Sequence, residues 1–323
     1  MDIGKSIGLK YGLPTRNAFG EALRELGGEN PNLVVLDGDV GNSTRTQYFG
    51  KEYPDRFFNV GIAESNLVGV ASGLAGSGKD VLAASFAVFL MCNAYDQIRM
   101  SVAFPRANVK LVGSHSGISI GEDGPSQMAI EDIALATSLP NFTVIVPADE
   151  PSARAATRAL FSFEGPAFMR TGRPKVPIVY EDGVDLKVGK ANRLREGRDA
   201  TIIGCGLMVA AALEAADSLS QKGIEVRVLD MHTIKPLDGE AVERAARETG
   251  AIVTAEEHVL EGGLGSSVAR AVGERWPVPM GFVGIDNRYA ESGEPEELLA
   301  KYGLMPTDIV EAVERALKRK RNA

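Results

Sequence analysis

The sequence contains few of the residues that stabilise secreted proteins or bind metal ions. It has two cysteines, Cys92 and Cys205, three histidines and one tryptophan among 323 residues. Two cysteines so far apart cannot form a disulfide scaffold, and single thiols suit a reducing cytoplasm. Residues 1–12 also lack the charged region and apolar stretch of an export signal. We therefore expect a cytoplasmic protein and exclude the secreted, disulfide-rich class.

An excess of positive charge and long hydrophobic runs are also absent. The chain has 35 Lys and Arg against 43 Asp and Glu, a net charge of −8. This acidic balance argues against a protein that binds nucleic acid by neutralising phosphates, even though the chain ends near a basic run, KRKR. No run of about 18 apolar residues is present, so the sequence predicts no membrane-spanning helix.

What the sequence does contain is a regular alternation of short apolar runs and longer segments of helical period. The helical segments include 17–28, 66–78 and 150–163. The apolar runs are typical of strands buried on both faces, and the alternation predicts a doubly wound α/β fold with a mainly parallel sheet. The predicted strands are 33–39, 79–86, 108–115, 142–149 and 166–173.

The length predicts about two domains, at roughly 150 residues for each. We place a first domain at 1–180, a linker at 181–196 and a second domain at 197–323. Each domain is expected to be a mainly parallel sheet flanked by helices. The polar stretch 174–199, with two prolines, is interpreted as linker sequence with a short hairpin. Thr307 is predicted to cap the last helix at its N-terminus.

Three polar segments follow predicted strands, which is where open α/β sheets place their ligands. The first, LDGDVGNST at 36–44, matches neither a Walker A loop nor a dinucleotide fingerprint and is compatible with a simple turn. The second places Glu64 at a helix start, where it either complements the helix dipole or, if burial raises its pKa, shares a proton with a ligand nitrogen. The third, at 113–132, places His115 at a strand end, where a functional role is favoured over a loop network. His232 and His258 are interpreted as structural or interfacial, not catalytic.

Taken together and in order, these segments resemble transketolase from end to end. The matching blocks include PDRFFNVGIAESN, SFAVF, FMRTGRP and EEHVLEGGLG, and GSHSGISIGEDGPSQMAIED is the most specific. Gln127 within that block resembles the animal-type enzymes. The resemblance covers the pyrimidine-binding and C-terminal domains of the family. It lacks the diphosphate-binding domain, whose GDG…N motif holds Mg²⁺, and this implies a split enzyme with a separate N-terminal subunit.

The resemblance implies a thiamine diphosphate cofactor and roles for individual residues. Glu64 would hydrogen-bond N1′ of the aminopyrimidine and act in catalysis together with His115, while Phe86 and Phe89 would pack against the pyrimidine ring. Mg²⁺ would be bound mainly by the partner subunit, with no metal ligand in this chain. The sugar substrate requires guanidinium groups for its phosphate and hydrogen-bonding groups for its hydroxyls. The residues expected to bind it are Arg16, Ser43, His115, Asp123, Gln127 and Arg173.

The implied function is transfer of a two-carbon ketol unit from a ketose phosphate to an aldose phosphate, a step of the pentose phosphate pathway. The implied assembly is an α2β2 heterotetramer that contains this chain twice, with no nucleic-acid or membrane partner. One departure from the family pattern lies after Phe89, where the loop is one residue longer and Asn93 stands where Arg is common. This difference leaves open a transketolase-like enzyme for an unusual sugar.

Two further alternatives remain open at this point. The β subunit of a 2-oxo acid dehydrogenase shares the two-domain layout, but it needs no clamp for a sugar phosphate. A catalytically silent subunit that scaffolds or regulates a partner is the third interpretation, and the presence of Glu64 argues against it.

Overall fold

The computed structural model describes residues 2–322, which form an α/β fold with two mainly parallel sheets flanked by helices. The predicted fold class is confirmed. The strands are Tyr11–Pro14 (β1), Leu33–Asp37 (β2), Phe57–Asn59 (β3), Asp80–Phe86 (β4), Val109–Ser114 (β5), Thr143–Ile145 (β6), Ala167–Arg170 (β7), Lys175–Pro177 (β8), Asn192–Arg195 (β9), Ala200–Gly204 (β10), Val226–Asp230 (β11), Thr233–Lys235 (β12), Ile252–Val259 (β13) and Met280–Ile285 (β14).

Helices connect these strands and cover both faces of the sheets. Besides α-helices, the chain contains a π-helical stretch at 98–103 and 3₁₀ turns at 54–56 and 121–123. The α-helices are Thr15–Glu29 (α1), Gly41–Thr44 (α2), Gln47–Glu52 (α3), Glu64–Gly76 (α4), Ala87–Asn93 (α5), Tyr95–Gln97 (α6), Asp132–Ser138 (α7), Glu150–Ala159 (α8), Met208–Ser220 (α9), Gly239–Thr249 (α10), Leu264–Arg275 (α11), Pro295–Lys301 (α12) and Pro306–Arg321 (α13).

The first large sheet has the strand order β12-β6-β7-β5-β4-β2-β3. Its strands from β6 to β3 are parallel, so their carboxyl ends lie at one edge. Every residue of β2, β5 and β7 is buried, as the continuous apolar runs of the sequence predict for a sheet covered on both faces. This edge carries the segments singled out above as candidates for function.

The second sheet has the order β14-β13-β10-β11-β9, with β9 alone antiparallel. One strand of the C-terminal half, β12, does not belong to this second sheet. It pairs antiparallel with β6 of the first sheet. The two halves of the chain therefore share a sheet edge as well as a packed interface. The domain limits at 180 and 197 stay a prediction, and β9 lies within the segment predicted to be the linker.

Two local predictions are wrong. The stretch 174–199 contains β8 and β9, which pair with β1 and β11 and not with each other, so it forms no hairpin. Thr307 does not cap the last helix, because α13 begins one residue earlier at Pro306 and Met305 occupies the N-cap position. Asp308 accepts a hydrogen bond of 2.8 Å from the Met305 N–H, and a proline in the first position has no N–H to satisfy.

No helix between residues 2 and 322 combines the length and the apolar character that crossing a bilayer requires.

Candidate active site

A pocket of about 470 Å³ opens at the carboxyl edge of the first sheet. Its wall is built by the loops that follow β2, β5 and β7, by the last residue of β4 and by the start of α1, so residues far apart in sequence meet there. The pocket contains all six residues that were expected to bind the sugar substrate. Its lining residues are Arg16, Asn42, Ser43, Arg45, Phe86, His115, Asp123, Gln127 and Arg173.

His115 forms the floor of this pocket. It follows directly after β5, is buried, and has a left-handed backbone with φ of 60°. Its ring stacks on Phe86 with centroids 3.9 Å apart and planes 9° apart. Nε2 lies 3.3 Å from a guanidinium nitrogen of Arg16, and Nδ1 lies 2.9 Å from the Ser114 hydroxyl. Because the guanidinium can only donate, Nε2 accepts and the proton is assigned to Nδ1.

The electrostatic surroundings keep this imidazole neutral. Burial, together with the positive charges of Arg16, Arg173 and Arg45, lowers the pKa of His115 to about 3. Both ring nitrogens are engaged, so a substrate hydroxyl would reach Nε2 by taking the place of the Arg16 guanidinium and would then donate to this nitrogen.

Arg16 lies near the start of α1 and reaches into the pocket from above the sheet edge. It donates to the Ser43 carbonyl at 3.1 Å, which joins α1 to the loop after β2. Its Nε is buried and has no hydrogen-bond partner among residues 2–322. Burial and the neighbouring cations of Arg45 and Arg173 together lower the pKa of Arg16 to about 10. A guanidinium that is partly desolvated, unpaired and beside other cations is a favourable position for an anion.

Arg173, which follows β7, closes the opposite side of the pocket and is held there by the loop after β5. This side chain donates to the Ile120 carbonyl and to Glu122, each at 2.7 Å, and lies 3.7 Å from Asp123. The Glu122 carboxylate raises the pKa of Arg173, so that guanidinium keeps its charge. Gln127, from the same loop, completes this wall and accepts a hydrogen bond from the Ser126 hydroxyl.

Glu64 lies next to this pocket. It is the first residue of α4 and is only 5% exposed. The buried Ser85 hydroxyl donates to its Oε1 at 3.0 Å. The other oxygen, Oε2, has no partner among the described residues. The carboxylate therefore keeps an oxygen free to bind a ligand nitrogen.

One of two stacked aromatic rings connects Glu64 to the pocket, because Phe86 lines the pocket and is the neighbour of Ser85, the hydrogen-bond partner of Glu64. Phe86 follows Ser85 in β4, and its ring is parallel to that of Phe89, with centroids 5.7 Å apart and planes 7° apart. Both rings are half-buried. A half-buried aromatic surface beside a carboxylate with one free oxygen fits an aminopyrimidine ring.

Sequence reasoning missed two lining residues, Asn42 and Arg45. Arg45 ends α2 with a left-handed backbone, φ 71°, donates to Asn17 at 3.0 Å and also donates to the Asn42 carbonyl. The only signal in the sequence was position, since both residues lie within two residues of Ser43.

Between residues 2 and 322 no group of three or more His, Cys, Asp or Glu side chains is placed to hold a metal ion. His232 and His258, interpreted as structural, are both fully buried.

Residues 12–179 match the family described as "Transketolase, pyrimidine binding domain", and residues 189–309 match "Transketolase, C-terminal domain". This chain belongs to the transketolase family. The resemblance inferred from the sequence is thus confirmed, and the family depends on thiamine diphosphate.

Relatives of two lengths match this transketolase sequence. It is 40% identical over 307 residues to the "Putative transketolase C-terminal section" of Methanocaldococcus jannaschii, with 94% of this chain and 96% of that protein covered. It is 42% identical to the "Transketolase" of Homo sapiens, but covers only 48% of that protein. The chain thus spans about half the length of several of the relatives it matches, and corresponds to their C-terminal section.

Solved structures agree with this assignment. A chain described as "Split gene transketolase, inactive beta4 tetramer" is 48% identical and has a TM-score of 0.91. The match covers 96% of the present chain and 100% of that chain. A transketolase mutant from Pichia stipitis has a TM-score of 0.81 at 21% identity, which shows the shared fold.

Proposed function

We propose that this chain is the C-terminal subunit of a split, thiamine-diphosphate-dependent transketolase that moves a two-carbon ketol unit from a ketose phosphate to an aldose phosphate. The observation that carries the proposal is the single pocket that joins unpaired guanidinium groups, a neutral histidine and an aromatic ring beside Glu64. This combination provides for a phosphate, for sugar hydroxyls and for an aminopyrimidine in adjacent places.

For the cofactor, the residues that would hold the pyrimidine are Glu64, Phe86 and Phe89. When bound, thiamine diphosphate supplies the carbon nucleophile that the ketol transfer requires. Glu64 would hold a proton between its free oxygen and the pyrimidine N1′, while Ser85 fixes the other oxygen. The two aromatic rings would pack against the pyrimidine face and keep water away from it.

For the substrate, we assign the phosphate to the cationic side of the pocket and the hydroxyls to its floor. Arg16, Ser43 and Arg173 would bind the phosphate, because guanidinium groups match its oxygens geometrically. Neutral His115 and the Asp123 carboxylate would hydrogen-bond the donor hydroxyls. The Gln127 amide would offer a further uncharged contact to the sugar.

We further propose that activity needs a separate N-terminal subunit, in an α2β2 assembly that is located in the cytoplasm. That subunit would bind the diphosphate and most of the Mg²⁺ shell, since no metal-binding group of side chains lies between residues 2 and 322. Two findings support a partner: a relative named as a C-terminal section matches this chain almost over its full length, and the related β4 tetramer is described as inactive.

A second candidate differs only in the sugar. The chain is 39% identical to the "6-deoxy-6-sulfo-D-fructose transketolase subunit SqwH" of a Clostridium species and covers 95% of it. A sulfonated donor would use the same pocket. The 2-oxo acid dehydrogenase alternative is disfavoured, because its substrate carries no phosphate to occupy the cationic wall.

The test combines the purified chain with the polypeptide encoded beside it, thiamine diphosphate, Mg²⁺, xylulose 5-phosphate and ribose 5-phosphate. We expect sedoheptulose 7-phosphate to form only with both chains present. Consumption of a 2-oxo acid with no ketol transfer would support the dehydrogenase instead, and ketol transfer by this chain alone would contradict the split arrangement.

The role of Glu64 is tested in the same assay by Glu64→Gln, which keeps the size of the side chain and removes its ability to hold the shared proton. We expect a loss of activity of about 100-fold or more, because general acid–base catalysis contributes roughly 10²–10⁴-fold. Glu29→Gln, at an exposed ion pair with Arg158, is the matched control and should retain full activity. Unchanged turnover by Glu64→Gln would contradict the assigned role.

A further inference from the structure

The pocket carries more unpaired positive charge than the assignments above use. Arg173 forms an ion pair with Glu122 at 2.7 Å and lies 3.7 Å from Asp123. Arg16 and Arg45 form no ion pair with any residue between 2 and 322. Their hydrogen bonds go to neutral groups, namely backbone carbonyls, an imidazole and an asparagine amide oxygen. Two guanidinium charges therefore face the pocket without a counter-ion, in a chain whose net charge is −8.

Arg45 is held in place by α1, the same helix that carries Arg16. Its Nε donates to Asn17 at 3.0 Å, and its backbone packs against Gly20 so closely that a Cβ there would lie 2.5 Å from the Arg45 Cβ. The left-handed φ of 71° is unfavourable for a residue with a side chain, and such strain persists only where the surroundings impose it. A flexible surface arginine needs none of these restraints, whereas a positioned cation does.

The number of free charges indicates what the pocket selects. A phosphate monoester carries nearly two negative charges near neutral pH, a sulfonate carries one and a hydroxyl carries none. Two guanidinium groups without an ion pair attract a doubly charged phosphate more strongly than a singly charged sulfonate. Arg173 lies beside two carboxylates, Glu122 and Asp123, so it adds hydrogen-bond donors to the site but no net positive charge.

We propose that Arg45 is a specificity-determining residue which, together with Arg16, makes the site select substrates that end in a doubly charged phosphate over those that end in a sulfonate or a hydroxyl. This proposal rests on the proposed function, since it assigns the terminal group of the same substrate. It predicts that removing the Arg45 charge lowers kcat/KM for phosphorylated substrates and leaves kcat/KM for unphosphorylated substrates nearly unchanged.

The experiment uses the assembled enzyme of both chains and compares kcat/KM for three acceptors: ribose 5-phosphate, its sulfonate isostere and ribose. Loss of one charge-assisted contact should lower kcat/KM of Arg45→Met for ribose 5-phosphate by about 10- to 100-fold. The value for the sulfonate should fall less, and the value for ribose should stay within about twofold. Arg45→Lys should recover part of the loss, because it restores the charge without the bond geometry. Arg24→Met, at an exposed ion pair with Glu52 on the outer part of α1, is the matched control.

Two results would overturn the proposal. An equal loss for all three acceptors would show that Arg45 only shapes the loop, and no loss for any of them would show that it does not contact the substrate. If the assembled wild-type enzyme transfers no ketol unit at all, the proposed function fails separately. The role of Arg45 in phosphate binding is then tested by calorimetry, which measures the affinity of this chain for ribose 5-phosphate. This chain contains every lining residue of the pocket. An affinity for ribose 5-phosphate that is unchanged in Arg45→Met would reject the proposal in this experiment as well.

Discussion

His115 is surrounded by groups that oppose its protonation. Three arginine charges act on it, its ring stacks on Phe86, and it is buried. Its folded pKa of about 3 lies below the value near 6.5 that histidine has in an unfolded chain, so the neutral form is the native form at any pH above the folded value. A pH-dependent step in activity above pH 5 must therefore come from another group.

The same reasoning extends to every histidine in the chain and gives the first prediction. Burial lowers the pKa of His232 to about 4 and that of His258 to about 3, so all three imidazoles should stay neutral. We expect the Cε1–H resonances of the native chain to show no titration between about pH 5 and 8. The urea-unfolded chain is the control and should titrate near pH 6.5. A native resonance that moves with a midpoint above 5 would contradict the prediction for the residue to which it is assigned.

The pocket residues differ in how far the sequence could predict them. Arg16, His115 and Arg173 were predicted to bind substrate because they lie in sequence blocks that resemble a known family. Arg45 was not, because its importance depends on a left-handed backbone and on close packing against Gly20. Both features arise from the tertiary arrangement of α1 and α2, which no local pattern in the sequence reports.

At the scale of elements, the loop after β2 is held by one buried carboxylate. Asp37 accepts hydrogen bonds from the Val40 N–H at 2.6 Å and from the hydroxyls of Thr44 and Thr46, each at 2.7 Å. Burial raises the pKa of Asp37, and these three donors act against that shift by favouring the ionised form. The loop they order carries Ser43 and Arg45 into the pocket.

The second prediction concerns Asp37→Asn. The amide nitrogen cannot accept, so either the Val40 N–H or the hydroxyls of Thr44 and Thr46 lose this acceptor, and we expect the free energy of unfolding to fall by about 2–3 kcal/mol. KM for a phosphorylated substrate should rise more than kcat falls, because the loop positions binding groups. Denaturant unfolding and steady-state kinetics of the assembled enzyme measure the two effects. Asp55→Asn, at an exposed aspartate, should change stability by less than about 0.5 kcal/mol. Equal stability of the two variants would remove the anchoring role from Asp37.

Strands that lie within a continuous apolar run could be predicted from the sequence, and strands without such a run could not. All five predicted strand segments contain an observed strand, β2, β4, β5, β6 and β7, because continuous apolar runs in α/β proteins lie in the sheet interior. The three-residue strands β3 and β12 have no such run. Strand β12 is defined by its pairing with β6, which is distant in the chain, and the absence of a hairpin in 174–199 has the same cause. Partner choice between distant strands is set by tertiary packing.

At the scale of the whole molecule, one buried guanidinium joins the two halves. Arg170 ends β7 of the first sheet and pairs with Asp132 at 2.9 Å. It also donates to the backbone carbonyls of Ala129 and Glu257, each at 2.8 Å. Glu257 belongs to β13 of the second sheet, and its carboxylate accepts a bond of 2.6 Å from the Ser119 N–H in the pocket loop. The interface between the halves thus supports the loop that carries Asp123 and Gln127.

The last prediction tests that junction with Arg170→Met. Removing one partner leaves the carboxylate of Asp132 buried, only 1% exposed, with no cation beside it, so we expect the free energy of unfolding to fall by about 3–5 kcal/mol. Adding Asp132→Asn should recover part of this loss, because a neutral amide is less costly to bury than an unpaired charge. Denaturant unfolding of the single and double variants measures the loss and the recovery. Arg24→Met is the control, and its free energy of unfolding should stay within about 1 kcal/mol of wild type because its ion pair is exposed. If the double variant is less stable than the single one, the cost does not come from the buried charge, and Arg170 stabilises the junction through its backbone contacts instead.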